Sequence, residues 1–116
     1  MSFELQFTPT AEQKYIFLKS AAEQALGNRI KSKKKKTSKQ EGLFKQVYKT
    51  LELLANNPRH PGLQTHQYDA IDNPYNSKEK IFEAYVQNRT PGAYRIFWCY
   101  GPSKNQLTII AITPHP

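Results

Sequence analysis

The clearest hydrophobic pattern lies between Lys80 and Pro116, where the runs K-I-F-E-A-Y-V-Q, A-Y-R-I-F-W-C-Y and L-T-I-I-A-I-T-P-H-P are separated by N-R-T-P-G and G-P-S-K-N-Q. Runs rich in β-branched and aromatic residues, joined by short turn-forming breaks, predict a three-strand antiparallel meander, because such loops join only neighbouring antiparallel strands. In the middle run, period-two alternation puts Tyr94, Ile96, Trp98 and Tyr100 on one side and Arg95, Phe97 and Cys99 on the other. The first side is the heavier and is expected to pack under helices. Arg95 is then expected to project from the opposite, open face.

Ser2 to Thr8 also alternates, with Phe3, Leu5 and Phe7 on one side, and reads as a strand with one wet face. Pro9 stops it, and Thr10 with Gln13 forms the expected capping box of a helix starting at Ala11. Ala11, Tyr15, Leu18, Ala22, Ala25 and Leu26 make one packing stripe, and Gly27-Asn28 is the expected C-cap. A second amphipathic helix from Glu41 carries Leu43, Val47, Leu51 and Leu54, flanked by Phe44 and Tyr48, and ends at Asn56-Asn57-Pro58. Between the helices, residues 31–40 read either as a long loop or as a frayed helical extension. Leu63 to Ala70 is expected to be extended, and Asp72 to Glu79 a polar loop that needs no functional explanation. The fold class is α+β: an N-terminal strand and a two-helix hairpin packed on an antiparallel sheet that closes with the meander. One domain spans residues 1–116, with a basic, flexible inter-helix segment at 29–40.

A chain of 116 residues is long enough for one domain without covalent staples. The single cysteine, Cys99, excludes an intramolecular disulfide and reads as a small buried hydrophobe. No apolar run reaches the length of a membrane span and the N-terminus has no secretory pattern, so a soluble cytoplasmic protein without a membrane role is expected. Net charge is +8, and Arg29, Lys31, Lys33, Lys34, Lys35, Lys36 and Lys39 supply seven of those charges with no acid among them. Such a cluster either attracts a polyanion, with phosphate backbones the usual partner, or is a solvated linker held open by self-repulsion.

Arg95 is the sharpest candidate for chemistry. A mid-strand arginine is uncommon unless paired; it either forms an ion pair with Glu83 on the adjacent strand or presents a fixed donor fork to a phosphate. His115, just beyond the last run, is a candidate general acid or base, set against a terminal residue with no partner. Arg89 and Lys104 stand in the two hairpin loops, where they could border a site built around Arg95. His60 and His66 are six residues apart without a cysteine nearby, a spacing that argues against a metal site. His66 shares a face with Gln64 and Tyr68, which either stacks a base or is a solvated edge. No glycine-rich phosphate loop, G-x-S-x-G elbow, H-E-x-x-H or paired C-x-x-C occurs, which removes most nucleotide hydrolases, serine esterases and zinc proteases.

The order strand, two helices, antiparallel strands, together with G-A-Y-R-I-F-W-C-Y, I-T-P-H-P and the N-P-R-H-P-G-L-Q-T-H-Q-Y segment at Asn57–Tyr68, resembles the RelE/ParE superfamily of type II toxin–antitoxin toxins. The resemblance covers nearly the whole chain except the lysine-rich insert. It implies a compact toxin silenced by a cognate antitoxin. RelE-like members cleave mRNA in the ribosomal A site, whereas ParE-like members poison DNA gyrase. By position, Arg95 matches the arginine that contacts the scissile phosphate in the RNA-cleaving branch, and His115 falls where that branch places a basic or acid–base residue. Tyr85 and Tyr100 are candidate stand-ins for a functional tyrosine that RNA-cleaving relatives carry beyond the point where this sequence ends. Lys31, Lys33, Lys34, Lys35, Lys36, Lys39 and Lys104 are the candidate nucleic-acid contacts. The implied reaction is attack by the substrate 2′-OH, needing no metal and no cofactor. A gyrase inhibitor that cleaves nothing and a non-catalytic nucleic-acid binder are the alternatives.

Overall fold

The computed structural model describes residues 2–88 and 90–114. Five strands form one sheet in the order β1-β5-β4-β3-β2, with β1 at Glu4–Phe7, β2 at His66–Gln67, β3 at Phe82–Tyr85, β4 at Tyr94–Tyr100 and β5 at Gln106–Pro114. Helices α1 (Pro9–Lys31) and α2 (Lys39–Asn56) form a hairpin over one face. The meander β3-β4-β5 is antiparallel as expected, but β1 joins β5 in parallel, so the sheet is mixed and not purely antiparallel. This pairing links the two ends of the chain, and neither strand's own alternation encodes it. Thr8 fixes the junction: its N–H donates to the Ile109 carbonyl and its hydroxyl to that of Ile110.

The helix-facing side of the sheet is the main core. Ile96 and Trp98 from β4 pack with Ala84, Leu107, Ile109 and Ile112, against Ala11 and Leu18 of α1 and Val47, Leu51 and Leu54 of α2. Leu107 and Ile109 share parity but Ile112 does not; a register shift opposite Phe97/Trp98 leaves Ile110 as the extra residue and returns Ile112 to the core.

The helix ends differ from the expected ones. Proline is tolerated in the first helical turn, so Pro9 opens α1 instead of merely ending β1, and Thr8, not Thr10, caps it by accepting from the Ala11 N–H. Gly27 lies inside α1, which runs four residues further. It stops where Lys33 takes a left-handed φ of 56° and the N–H groups of Lys33 and Lys34 reach back to the carbonyls of Ile30 and Arg29, the double bond of a Schellman turn. Helix α2 starts earlier than expected, on a Ser38–Glu41 capping box. The lysine segment is therefore a short loop between two ordered helix ends, with Lys31 and Lys39 inside the helices. Arg29 forks onto Glu41 across the gap, at 3.0 to 3.2 Å, and ties the ends together.

On the second face, residues 68–81 form a strap. Tyr68 lies 4.6 Å from the Phe97 ring, and Ile71 and Ile81 join Phe97 and Cys99 in a smaller core. The expected polar loop at 72–79 thus has a structural role. Buried Asn73 accepts from the N–H groups of Tyr75 and Asn76, and the Tyr75 hydroxyl contacts Thr108 at 2.9 Å. The expected extended segment 63–70 shrinks to His66–Gln67. Pro61 and Gly62 turn the chain into a 3-10 helix, and Gln64 at φ 49° breaks the extended line.

The Arg29 hydrogen bonds, helped by the Ser38 cap, pull the Glu41 carboxyl from its ordinary 4.5 down to about 2. A carboxyl depressed in the folded state adds stability above its unfolded pKa and loses it as pH falls towards the folded value. Acidification from pH 4.5 to about 2 should therefore weaken the hairpin. Urea midpoints across that window should fall less steeply for Glu41→Gln than for the parent.

Removing Asn73 leaves two backbone donors of the strap unpartnered, at a cost of about 1–3 kcal/mol. Burial pushes the Cys99 thiol up to about 11 and shields it. Asn73→Ala should lower the urea midpoint and speed labelling of Cys99 by a thiol reagent.

Candidate functional site

The strap covers one end of the second face and leaves the corner formed by β2, β3 and the start of β4. Strand registry pairs His66 with Glu83 and Tyr85 with Arg95, and the contacts of these side chains put all four on this side of the sheet. The Arg95 guanidinium lies flat on the Tyr85 ring, 3.7 Å from its centre. Nη1 donates to the Gln87 carbonyl at 2.6 Å and to that of Tyr94 at 3.1 Å. Nε is buried with no hydrogen-bond partner. The residue is only 8% exposed.

Arg95 therefore sits on the expected face but is not displayed outward. Nor does it pair with Glu83 in the expected way. Glu83, 1% exposed, holds His66 Nε2 at 2.5 Å. A permanent positive charge taken out of water needs compensation. Here two carbonyl dipoles and one aromatic face supply it, the last worth about 0.5–2 kcal/mol. None of these is an anion.

His66 sits on the edge strand with its side chain 47% exposed. Its Nδ1 meets the Gln64 carbonyl at 3.2 Å, and its ring meets Tyr85 edge-on at 5.7 Å. Both ring nitrogens are thus engaged, Nδ1 at the Gln64 carbonyl and Nε2 at the Glu83 carboxylate, which fixes the ring plane. A buried carboxylate orienting a half-exposed imidazole is the arrangement used for proton transfer, with the carboxylate as positioning group. Sequence reasoning missed this pair because β2 is only two residues long and its register is set by the turn at 61–64. Period two along β3, which aligns Glu83 with Tyr85, was the available signal.

The other candidates scatter. Tyr85 belongs to the cluster. Tyr100 is on the helix-facing side at the far end of β4, against Phe3, Phe82 and Trp98, and is not brought to Arg95. The molecule is elongated, 51 × 27 × 25 Å, and the cleft holding Lys34 and Lys36 is lined only by hairpin residues. Lys33, Lys34, Lys35 and Lys36 thus lie in the loop at the hairpin tip, with Lys31 and Lys39 on the helix ends that flank it. Lys104 lies in the β4–β5 turn. Arg89 and His115 lie outside the described residues. Among the described residues no group of three His, Cys, Asp or Glu side chains could hold a metal, and no helix is long and apolar enough to cross a membrane.

A mixed five-strand sheet with a helical hairpin on one face and a polar corner on the other is the fold of the RelE/YoeB-type toxins. Three solved structures share it. A YoeB/ParE toxin from Agrobacterium tumefaciens superposes with a TM-score of 0.60 at 9% identity, covering 97% of this chain and 99% of that one. A YoeB dimer from Staphylococcus aureus gives 0.55 at 10% identity, with both chains covered completely. An archaeal RelE–RelB complex from Pyrococcus horikoshii OT3 gives 0.56 at 10% identity, covering 98% of this chain and 96% of the other. No protein-family model and no curated protein sequence matches.

If the Tyr85 ring carries part of the compensation for Arg95, Tyr85→Phe should leave stability nearly unchanged. Tyr85→Ala should lower it by about 0.5–2 kcal/mol beyond the lost apolar area, as a denaturant series comparing the two would show.

Proposed function

We propose that the protein is the toxin of a toxin–antitoxin pair and a metal-independent endoribonuclease acting on ribosome-bound mRNA. The observation that carries this reading is the Arg95 guanidinium: more than nine-tenths buried, fixed on Tyr85 and two backbone carbonyls, with Nε unpartnered among the described residues. A phosphate is the ligand that such a group lacks. The likeness in fold to the YoeB/ParE and RelE structures supports the same reading, and the RelE–RelB complex supports an antitoxin protein as partner.

In the reaction, the ribose 2′-OH attacks the adjacent phosphorus, the bond to the 5′-oxygen breaks, and a 2′,3′-cyclic phosphate and a free 5′-OH result. One proton leaves the 2′-OH and one reaches the departing oxygen. Arg95 stabilises the charge that grows on the phosphoryl oxygens. His66, held on Nε2 by Glu83, moves one of the protons once Nδ1 exchanges the Gln64 carbonyl for the substrate. His115 keeps its sequence-based role as a proton carrier, with Arg89 or a lysine assisting.

Arg95→Ala should slow cleavage of mRNA on translating ribosomes by about 10²- to 10³-fold, and His66→Ala by about 10²- to 10⁴-fold. Mapping mRNA 5′ ends after induction of the protein alone reads both. Growth arrest with intact mRNA and lost gyrase supercoiling would instead assign the gyrase-inhibiting alternative.

A further inference from the structure

Around the edge of the sheet from His66, three cavities follow one another as a groove, neighbouring ones sharing lining residues, with Arg95 outside all three linings. The first, between α2 and β3, is lined by Lys49, His60 and Tyr85, among others. His60 also borders the second, a space of about 370 Å³ whose wall includes Arg59, Phe82, Trp98 and Tyr100. Phe82 and Tyr100 in turn border the third, with Lys80 and Lys104 beyond them. The groove follows the edge from the ring that carries Arg95 to the β4–β5 turn.

Its chemistry is consistent along its length. Phe82 stacks on Trp98 at 4.9 Å, and Tyr100 meets both rings edge-on, leaving Tyr100 40% exposed. The Trp98 Nε1–H is buried and has no hydrogen-bond partner. Lys49, Arg59, Lys80 and Lys104 are all exposed, and none is ion-paired to a carboxylate of the described residues. Glu79 is the one acid in the third cavity's lining. An exposed ring, Tyr100, backed by buried ones and flanked by cations is a platform on which a single polynucleotide strand can dock. Its bases stack on the rings regardless of sequence while its phosphates meet the cations.

We infer that this groove binds single-stranded RNA, with Tyr100 as a stacking platform and Arg59, Lys80 and Lys104 as phosphate contacts that lead the strand to the Arg95 corner. The inference builds on the nuclease reading but is measured apart from it. The full-length protein is titrated with a short 2′-O-methyl RNA, which lacks the attacking hydroxyl, against the same sequence as a duplex. Trp98, the single tryptophan, reports binding by its emission. The single strand is expected to bind tighter than the duplex and to change the emission. Tyr100→Ala should weaken it roughly 5- to 150-fold. The exposed triple change Arg59→Glu, Lys80→Glu, Lys104→Glu should weaken it as well and flatten the dependence of log affinity on log salt by roughly 2. Because Tyr100 also packs in the core, the surface triple keeps the test independent of folding. Equal binding of duplex, a silent Trp98, or loss of binding only when Lys33 to Lys36 are replaced by Ala would overturn the groove. Ribosome-dependent cleavage that depends on Arg95 but ignores the groove variants would overturn it too and leave the nuclease reading standing. Binding with the expected signature and no cleavage leaves the groove standing and removes the nuclease.

Discussion

A single charge on the second strand of the meander constrains this fold. The core needs Ile96 and Trp98 facing the helices, and a pleated strand then forces their neighbour Arg95 to the other side. That side is only partly covered, and the cover is selective. Phe97 and Cys99, further along the same face, receive Tyr68, Ile71 and Ile81 from the strap. Arg95 receives one ring and two carbonyls. The strap thus buries the apolar part of the face and stops short of the charged part. A guanidinium in that position is neither hydrated like a surface arginine nor neutralised like a core one.

The neighbours of Arg95 share out the remaining work. Glu83 could have neutralised it, being two residues from Tyr85 on the adjacent strand and on the same face. Instead its carboxylate meets His66 from β2. The consequence is two electrostatic units meeting at the Tyr85 ring, an imidazole–carboxylate pair and a cation held by dipoles and the ring. Had Glu83 been spent on Arg95, neither an oriented imidazole nor an unpartnered Nε would exist at the corner. The short β2 strand is what permits the division. A longer strand there would cover Tyr85 and close the edge along which the groove runs.

The sheet was legible in the chain because its signal is periodic and local. The two faces of β4, the meander and both helical stripes follow from spacing, except that Leu26, beyond the part of α1 that meets the core, is 40% exposed. What was not legible involves contacts between distant segments or positions where two local rules compete. The parallel pairing of β1 with β5 has no local signature. Gly27 offered a C-cap, but the Arg29–Glu41 fork and the Schellman turn at Lys33 sit one turn later, and they outweigh the cost of about 1 kcal/mol for an internal glycine. The bulge at Ile110 hides in an apolar run where either face would accept an isoleucine. At the site, Arg95 and Tyr85 were identifiable as residues, but their contact was not. The role of His66 was invisible because it depends on a left-handed Gln64 turning the chain into register with Glu83.

The same division explains how the fold persists at 9–10% identity to its structural neighbours. The helix-facing core asks only for apolar residues of suitable volume at the right period, a demand that many sequences satisfy. The open corner asks for more, since each of its charged groups must be held by a particular partner. It asks this of few residues, and none of them belongs to the main core. Changes at the corner therefore act on its charges without touching the main core, whereas the core can drift without touching the corner. Only the lysine-bearing end of the hairpin lies apart from both, closed upon itself by Arg29 and Glu41. Its charge raises a positive potential that reaches about a Debye length from the surface. The corner is a separate unit, where a buried cation and an oriented imidazole lie against one aromatic ring.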